Sequence, residues 1–534
     1  METKQLIKLF RNLKANRSNF ENYWQELADY CLPMKATITS QRMSGQKLPT
    51  TIYDSTAISA VNIFAAGLHS YLTNPSSKWF ALSLLEKELL AIQEVKEWLK
   101  ECEDMIFNVF NSTNFNQQIH ETYRDFITFG TACLYEEEDF EKDIRFSTRP
   151  ISEIFIMEND RGIIDLLIRY FSYDARQATL KWGNAVSDKI KEKMNSGKWD
   201  ERFEFLHIIE PRYDRVAGKE DSKNKPFSST YLELSEEKEL SVGGYDDFPF
   251  FVPRFTKVSN EVYGYCQTMI ALPDIKTLNA MSKTILKAAQ KQVDPPLVVP
   301  DDALLLPFKA TAGAVNIKTS GTNDKIEVIE QRGQLGIGLE MEEQRRKAIK
   351  SALFVDLFLL LAQSPDMTAT EVRERVFEKM LILGPTLGRL MNELLDPIIH
   401  RTFAILARLG KLPPVPRILR GKNYKIVYIS PLAKAQKAAE SQSINEFLGF
   451  VTELAKVNQE TLDNVNFDKA VQELAEIKNI PANILRSDDE VQKLRQGRNE
   501  ALAQQQQLQM AQVGAGAAKD ITQAEKNLRG KEGK

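Results

Sequence analysis

The sequence contains little of what secreted, membrane-spanning or zinc-binding proteins need. The longest apolar stretch, residues 352–362, is interrupted by Asp356, and its eleven residues fall short of the about 20 that span a bilayer. The N-terminal residues are charged throughout and lack the apolar core of a secretory signal. Four cysteines occur, with no paired spacing that suits zinc or redox chemistry: Cys31, Cys102, Cys133 and Cys266. We therefore expect a soluble intracellular protein with buried thiols.

An excess of either charge is also lacking. Seventy Lys and Arg nearly balance 73 Asp and Glu, so the net charge is -3 and predicts no bulk electrostatic affinity for nucleic acid. Hydrophobic residues make up 43% and charged residues 27%, which are ordinary globular values and exclude wholesale disorder. Because 534 residues exceed what one hydrophobic core supports, we expect several packed units.

The motifs of common enzyme classes are missing. The sequence has no Walker A motif, no G-x-G-x-x-G after a strand, no G-x-S-x-G elbow and no H-E-x-x-H helix. Residues 332–340, RGQLGIGLE, resemble a phosphate-binding loop, but no Lys-Ser or Lys-Thr pair follows them. We interpret this stretch as a loop-to-helix junction, and the sequence predicts neither an enzyme nor a cofactor.

Candidate metal ligands do not cluster. The acidic run from Glu136 to Asp139 is predicted to be a solvated charge run in a loop, in preference to a cation site. A lone histidine is more often a hydrogen-bonded structural residue than a ligand or a base. The four histidines are scattered over different elements: His69, His120, His207 and His400. The sequence therefore predicts no metal site.

Hydrophobic periodicity predicts an α+β fold that is mainly helical. Apolar residues recur at three- and four-residue steps over 91–110 and again over 115–127, where Gly130 is placed to end the second helix. From 131 to about 265, short β-branched and aromatic runs predict strands, with a hairpin turn at Glu158–Gly162 and one helix inserted over 175–193.

A helix, a small β insert and a second helix are predicted next. The first helix covers 270–292, the Pro295-Pro296 pair ends it, and the second starts near Leu339. In the second helix, Glu342 with Arg346 and Glu343 with Lys347 form i,i+4 pairs. The first helix carries lysines on one face, interpreted either as a solvated face or as a basic stripe near a polyanion: Lys276, Lys283, Lys287 and Lys291.

A capping box marks the start of a further helix. Thr368 is the predicted N-cap, Glu371 occupies the third helical position, and losing the Thr368 hydroxyl would cost ~1 kcal/mol. This helix is predicted to bend near Gly384-Pro385 and Asp396-Pro397 and to end at Gly410. Later helices are predicted to start at Ser443 and Ser487, before a loosely ordered run rich in Gln, Ala and Gly from about Arg498.

From about residue 22 to 498, the order of landmarks resembles the podovirus-type bacteriophage head-to-tail connector, or portal, family. The first block contains the family's turn before a Trp-Phe pair: Thr73, Asn74, Pro75, Trp79 and Phe80. A later block, FPFFVPRF, has Phe255 where the family usually has tryptophan after the Pro-Arg pair. The segments DPPLVVPDD, MTATEV, LARLGKLPPVP and ISPLAKAQ follow in family order.

The resemblance implies a portal fold whose parts map onto the predicted elements. The implied divisions are a wing (1–269), a stem helix (270–293), a clip (294–338), a stem helix (339–360), a tunnel loop (361–368), a second wing part with the long bent helix (369–430), a crown (431–497) and a low-complexity tail (498–534). The tunnel loop is implied to approach DNA in a channel through six residues: Ala362, Gln363, Ser364, Pro365, Asp366 and Met367.

The resemblance also implies the function. Twelve copies would form a ring at one capsid vertex of the virion, assembled in the host cytoplasm, for genome packaging, retention and ejection. The implied partners are sliding double-stranded viral DNA, the terminase large subunit, tail adaptor and tail tube proteins, scaffolding protein and major capsid protein, with no membrane. Two alternatives remain on the residues alone. They are a nucleic-acid-processing enzyme subunit, suggested by the acidic clusters and the basic helix, and a helical scaffold protein, suggested by the Ala/Gln-rich tail.

Overall fold

The computed structural model shows two compact units. Unit 1 comprises Met1–Ala81, Cys102–Pro413 and Tyr428–Leu432, and unit 2 comprises Leu82–Glu101, Pro414–Val427 and Ala433–Lys534. No helix within the described part of the chain is long and apolar enough to cross a bilayer. The structure describes residues 2–40, 45, 52–84, 86, 89, 92–216, 218–219, 221–293, 297–298, 327–328, 335–359, 384–420, 426–428, 431–456, 458–477, 486, 490–501 and 503–504.

The fold is α+β and mainly helical, as predicted. A π-helical turn, Met391–Leu395, joins two of the helices, and residues 490–501 are also helical. The helices are α1 (Thr3–Cys31), α2 (Thr56–Leu72), α3 (Gln93–Ser112), α4 (Phe115–Phe129), α5 (Ala175–Trp182), α6 (Asp188–Asn195), α7 (Gln267–Val293), α8 (Leu335–Ala352), α9 (Val355–Leu359), α10 (Gly384–Leu390), α11 (Asp396–Arg408), α12 (Pro431–Ala455) and α13 (Phe467–Ile477).

Within the described residues the strands form four sheets, one of five strands, one of three strands and two of two strands. Their orders are β1-β12, β10-β11, β3-β2-β9 and β4-β5-β6-β7-β8. The strands are β1 (Leu82–Leu84), β2 (Leu134–Asp139), β3 (Asp143–Thr148), β4 (Ile154–Glu158), β5 (Ile164–Asp174), β6 (Arg202–Pro211), β7 (Phe227–Glu233), β8 (Lys238–Tyr245), β9 (Phe250–Phe251), β10 (Leu297–Val298), β11 (Glu327–Val328) and β12 (Ile426–Tyr428).

The five-stranded sheet is a meander that packs against α1. Leu6, Ile7 and Phe10 of α1 meet apolar residues of four strands, among them Phe155 and Ile168. The Arg17 guanidinium reinforces this contact, because it donates a hydrogen bond of 2.9 Å to the Ile151 carbonyl and lies 3.6 Å from the centroid of the Phe155 ring. The opposite face of the sheet is also covered, because Phe171 and Phe205 pack there against Ala178 of α5 and Ile190 of α6. The central strands β5 and β6 are therefore buried on both faces.

Two predicted turns are confirmed, and one predicted helix is wrong in its extent. Gly162 closes the β4–β5 hairpin with φ +73°, and Gly130 ends α4 with φ +72°. A Cβ on Gly130 would lie 2.5 Å from the Gly264 carbonyl oxygen, so the close approach of two backbones also requires glycine there. The helix predicted over 175–193 is two helices, α5 and α6, because Gly183 breaks the first and Ser187 caps the second.

The helix start predicted at Ser443 in unit 2 is also wrong. Helix α12 begins at Pro431 and passes through Ser443 without interruption. Proline is well suited to the first helical position, and the Ala, Lys and Gln residues that follow are strong helix formers. The start predicted at Ser487 lies outside the described residues.

Candidate functional site

The two long helices α7 and α8, which follow the predicted order of helix, β insert and helix, form an antiparallel pair. The Ser282 hydroxyl donates a hydrogen bond of 2.6 Å to Glu342, and Arg345 donates one of 2.6 Å to Asp274. The later residue of α7 thus meets the earlier residue of α8, so the two helices run in opposite directions. Strands β10 and β11 continue the same antiparallel register, with Leu297 opposite Val328. Within the described residues the predicted order is therefore confirmed.

The second helix of the pair differs from its predicted bounds of 339–360. It begins four residues earlier, at Leu335, so the glycine-rich stretch interpreted as a junction lies largely inside α8. Gly338 allows a close approach here, because a Cβ would lie 3.0 Å from the Ile285 side chain. The predicted Glu342–Arg346 pair is present at 2.9 Å, and Arg346 also donates 2.9 Å to Asp54.

The four lysines of α7 do not form one uniform stripe. Lys276 lies 3.2 Å from Glu26 of α1, and the Lys283 ammonium lies 5.5 Å from the centroid of the Tyr53 ring. Lys287 and Lys291 are exposed. Two of the predicted basic residues thus contact other parts of unit 1, and the structure leaves the DNA-facing interpretation of the set untested.

The end of α8 is held firmly on α2. Phe354 adopts φ +55°, which breaks the helix and starts the short α9, and both Phe354 and Phe358 pack on Phe64 with centroids 5.5 and 5.6 Å away. Gly67 makes room for α9, because a Cβ there would lie 2.3 Å from the Phe358 ring. The chain is therefore anchored immediately before residue 360.

The tunnel-loop residues implied by the resemblance lie outside the described residues. The structure therefore does not test the role predicted for Ala362, Gln363, Ser364, Pro365, Asp366 and Met367. The capping box of Thr368 and Glu371 also lies outside the described residues and remains a prediction. What the structure describes is the chain on either side of them, which ends at Leu359 and resumes at Gly384.

The chain after that gap is held by a buried arginine that the sequence analysis missed. Arg254 is 2% exposed and contacts Glu158 and Glu393, the second at 2.7 Å. Its backbone N–H donates a further bond of 2.8 Å to Glu393, which lies in the π-helical turn between α10 and α11. Arg389 and Lys257 complete the cluster, at 3.0 Å from Glu393 and 2.7 Å from Glu158. The family's Pro-Arg pair was the available signal, but its role was not visible in the sequence.

A π-helical turn lies directly before Asp396-Pro397, where the sequence predicted a bend, and α11 continues from it. A π-helical turn inserts one extra residue into the helical register, which is a recognised cause of a kink and recurs at functional sites. The helix ends at Arg408, and Gly410 with φ +66° follows it, also as predicted. The Arg254 cluster thus fixes the helix at its irregular point.

The acidic run is not a solvated loop, which corrects the prediction. It forms strand β2, and Glu136 is fully buried where it accepts a 2.9 Å bond from Thr402 of α11. Arg408 lies 2.7 Å from Glu138, so basic residues of α11 cover the acidic strand. The run therefore serves helix docking, and the observation that suggested an enzyme is accounted for by packing.

Burial raises the pKa of Glu136 from its ordinary 4.5 to about 8, against the opposing effect of Arg401, whose Nε lies 3.9 Å away. The folded state therefore holds a proton that the unfolded state releases, so this contribution to stability is complete below about pH 4.5 and lost as the pH rises to about 8. We expect Glu136→Gln to flatten the fall of Tm over this range by an amount equivalent to a few kcal/mol. Thermal unfolding measured from pH 5 to 8.5 checks this.

Glu137→Gln, the same change on the other face of β2, controls for the loss of one carboxyl group. A pH profile of Glu136→Gln that matches the wild-type profile would show that Glu136 is ionised in the folded protein.

His69 and His207 make hydrogen bonds to hydroxyl groups, as predicted for structural histidines, whereas His400 is exposed. His207 is buried, lies 2.9 Å from the Ser229 hydroxyl and stacks on Tyr231, and burial lowers its pKa well below the usual range. All four cysteines are buried and free. In the described part of the chain, no three His, Cys, Asp or Glu residues are grouped so that they could hold a metal ion.

Two landmarks of the family blocks lie in the core of unit 1. Trp79 stacks on Phe110 and Phe115, with centroids 5.7 and 6.1 Å away. Phe255, which replaces the family's usual tryptophan, is buried against Phe64 and Phe126. Both aromatic side chains therefore contribute to the core of unit 1.

Comparison with known proteins identifies the family. Residues 3–485 match the family described as bacteriophage head to tail connecting protein. The chain is 32% identical to the portal protein of Salmonella phage epsilon15, over 98% of this chain and 96% of the relative. It is 30% identical to the probable portal protein of Bordetella phage BPP-1, over 97% and 95%, and 20% identical to the portal protein of Enterobacteria phage T3, over 76% and 75%. The chain therefore belongs to the bacteriophage head-to-tail connecting proteins, the family of portal subunits.

Proposed function

We propose that twelve copies of this chain form a closed ring at one vertex of the capsid and that viral double-stranded DNA passes through its channel. The family is structural and belongs to the junction of head and tail, so its partners are capsid and tail proteins. The observation that carries the proposal is the near-complete match to two portal proteins at 30% and 32% identity. The antiparallel α7–α8 pair supports it, because such a pair gives a long element for lining a channel.

Each part of the proposed portal is assigned to a segment of the chain. Helices α7 and α8 are the proposed stem, and residues 294–334 between them are the proposed clip, which docks the terminase large subunit and later the tail adaptor and tail tube proteins. The clip predicted from the sequence, 294–338, is shortened because α8 begins at Leu335. Residues 1–269 and 369–430 are the proposed wing. Residues 361–368 are the tunnel loop, 431–497 the crown and 498–534 the tail.

The proposed course of assembly begins in the host cytoplasm. The ring seeds the capsid with scaffolding protein and major capsid protein, admits the genome, retains it and releases it at ejection. The net charge of -3 suits sliding, because each phosphate that a cation neutralises adds salt-dependent holding energy. DNA would pass without sequence dependence, and no membrane is involved.

Imaging of the purified protein tests the ring. We expect electron microscopy to show a discrete ring with a central channel, and native mass spectrometry to give twelve times the 60.8 kDa subunit mass. The contacts between subunits of such a ring are heterologous and closed. Protein that stays monomeric or dimeric at every salt and protein concentration would rule the proposal out.

The lysines of α7 are proposed to face DNA, and a single variant tests all four. We expect Lys276→Gln, Lys283→Gln, Lys287→Gln and Lys291→Gln together to leave rings intact and to lower the efficiency of packaging by several-fold, because up to four phosphate contacts per subunit are lost. Filled particles are counted after complementation of a portal-deficient phage. Unaltered packaging would establish a solvated face, and Lys347→Gln on α8 controls for loss of positive charge.

A further inference from the structure

The α7–α8 pair has two edges with different chemistry. A helix advances by about 100° per residue, so residues three, four and seven positions apart share one side. The 2.6 Å bond between Arg345 and Asp274 marks one edge, because both helices contribute to it. The bond from Arg346 to Asp54 marks the opposite edge, where residues 53 and 54 cover the upper part of the pair.

The Asp274–Arg345 edge is apolar and open to solvent. Ile270 is 69% exposed, Ile337 57% and Met341 47%, which is unusual for large apolar side chains. We call the edge the neutral edge, because its nine other residues carry no charge: Ile270, Thr277, Met281, Thr284, Ala288, Ile337, Met341, Gln344 and Ala348. Its two charged residues, Asp274 and Arg345, compensate each other.

The opposite edge carries a second apolar patch below Tyr53 and Asp54. Leu286 of α7 and Leu339 of α8 occupy facing positions of the antiparallel pair, and they are 50% and 54% exposed. Lys283 and Glu343 flank them on the same side of their helices. We call this patch, defined by Leu286 and Leu339, the leucine edge. The pair thus presents two different apolar surfaces.

We propose that the neutral edge of one subunit packs against the leucine edge of a second copy of this chain. The inference rests on the proposed ring, in which every subunit needs two different and matching surfaces. The neutral edge extends over 19 residues of α7, from Ile270 to Ala288, which is about 28 Å at 1.5 Å per residue.

The near absence of charge on the neutral edge favours a second copy of this chain over DNA as its partner. A DNA backbone needs cations, and the neutral edge offers only Arg345, which is already bonded to Asp274. A second copy brings two exposed leucines, and its Lys283 and Glu343 can remain at the hydrated rim, where charged groups of an interface normally lie. Lys287 and Lys291 are exposed and lie in the last two turns of α7, where they can stay hydrated at the margin of the contact.

Two matched variants of the full-length protein test the proposal. Ala348→Glu places a carboxylate on the neutral edge, and Ala15→Glu makes the same change at an exposed position of α1, outside the α7–α8 pair. We expect Ala348→Glu to reduce the fraction of protein in rings at least tenfold, with helical content and monomer Tm unchanged, and Ala15→Glu to assemble like the wild type. Native mass spectrometry and electron microscopy measure the assembled fraction.

The outcomes separate this inference from the proposed function. Wild-type protein that forms no ring contradicts the proposed function itself. Wild-type rings together with full assembly of Ala348→Glu, or equal loss of assembly in Ala15→Glu, overturn only the assignment of the edge. If Ala348→Glu unfolds, the assembled fraction of Thr284→Glu, which changes the α7 part of the neutral edge, is measured instead. Full assembly of Thr284→Glu would also overturn the assignment of the edge.

Discussion

Arg254→Ala is expected to lower the free energy of unfolding by about 3 kcal/mol, at the lower end of the cost of breaking a buried ion pair. The Arg254 guanidinium is buried, and it bonds to Glu158, to Glu393 and to the backbone carbonyl of Gly162. Each carboxylate keeps one other partner, Lys257 or Arg389, which limits the loss. Urea unfolding at a fixed subunit concentration measures the change, since assembly also contributes to stability.

Arg254→Lys is the matched control, because lysine keeps the charge. An ammonium cannot reproduce the planar, forked donors that reach both carboxylates at once, so we expect an intermediate loss. In Arg254→Ala, we expect backbone hydrogen exchange to be faster within the π-helical turn, Met391–Leu395, than within α1. A free energy of unfolding for Arg254→Ala within about 0.5 kcal/mol of the wild type would show that the cluster adds nothing to stability.

The features that the sequence predicted well are local ones. The apolar periodicity of α3 and α4 reads directly as helix, because i,i+3 and i,i+4 neighbours form one buried stripe. The hairpin at Glu158–Gly162 follows from turn residues whose conformational preferences act within five positions. The order of α7, a β insert and α8 was also predicted, but the antiparallel packing of the two helices against each other was not.

The features that the sequence did not predict depend on distant partners. Glu136 looks solvated within its acidic run, but its partner Thr402 lies 266 residues further along the chain. Arg254 meets carboxylates 96 and 139 residues away, so no window of sequence contains the cluster. Phe354 breaks its helix without glycine or proline, since its ring packs on Phe64 of α2. Long-range packing overrides local preference at each of these positions.

The chain between Leu359 and Gly384 is held at both ends. Upstream, Phe358 is locked over Gly67, where no Cβ could be accommodated. Downstream, Arg254 binds the π-helical turn through Glu393. A segment whose two ends are fixed has a reach set by its own length, and each residue of extended chain contributes at most about 3.6 Å. This geometry makes the length of the proposed tunnel loop functionally testable.

Deleting residues 363–366 is expected to leave rings intact and to reduce the yield of DNA-filled particles by at least tenfold. The deletion shortens the chain by up to about 14 Å, and the anchored ends cannot move inward to restore the proposed contact with DNA. Deleting residues 213–216, from the exposed connection after β6, is the matched control and should leave filling unchanged. Particle filling is measured by electron microscopy and by nuclease-protected DNA after complementation of a portal-deficient phage. Normal filling and normal genome retention with the loop deleted would mean that residues 362–367 are an ordinary surface connection.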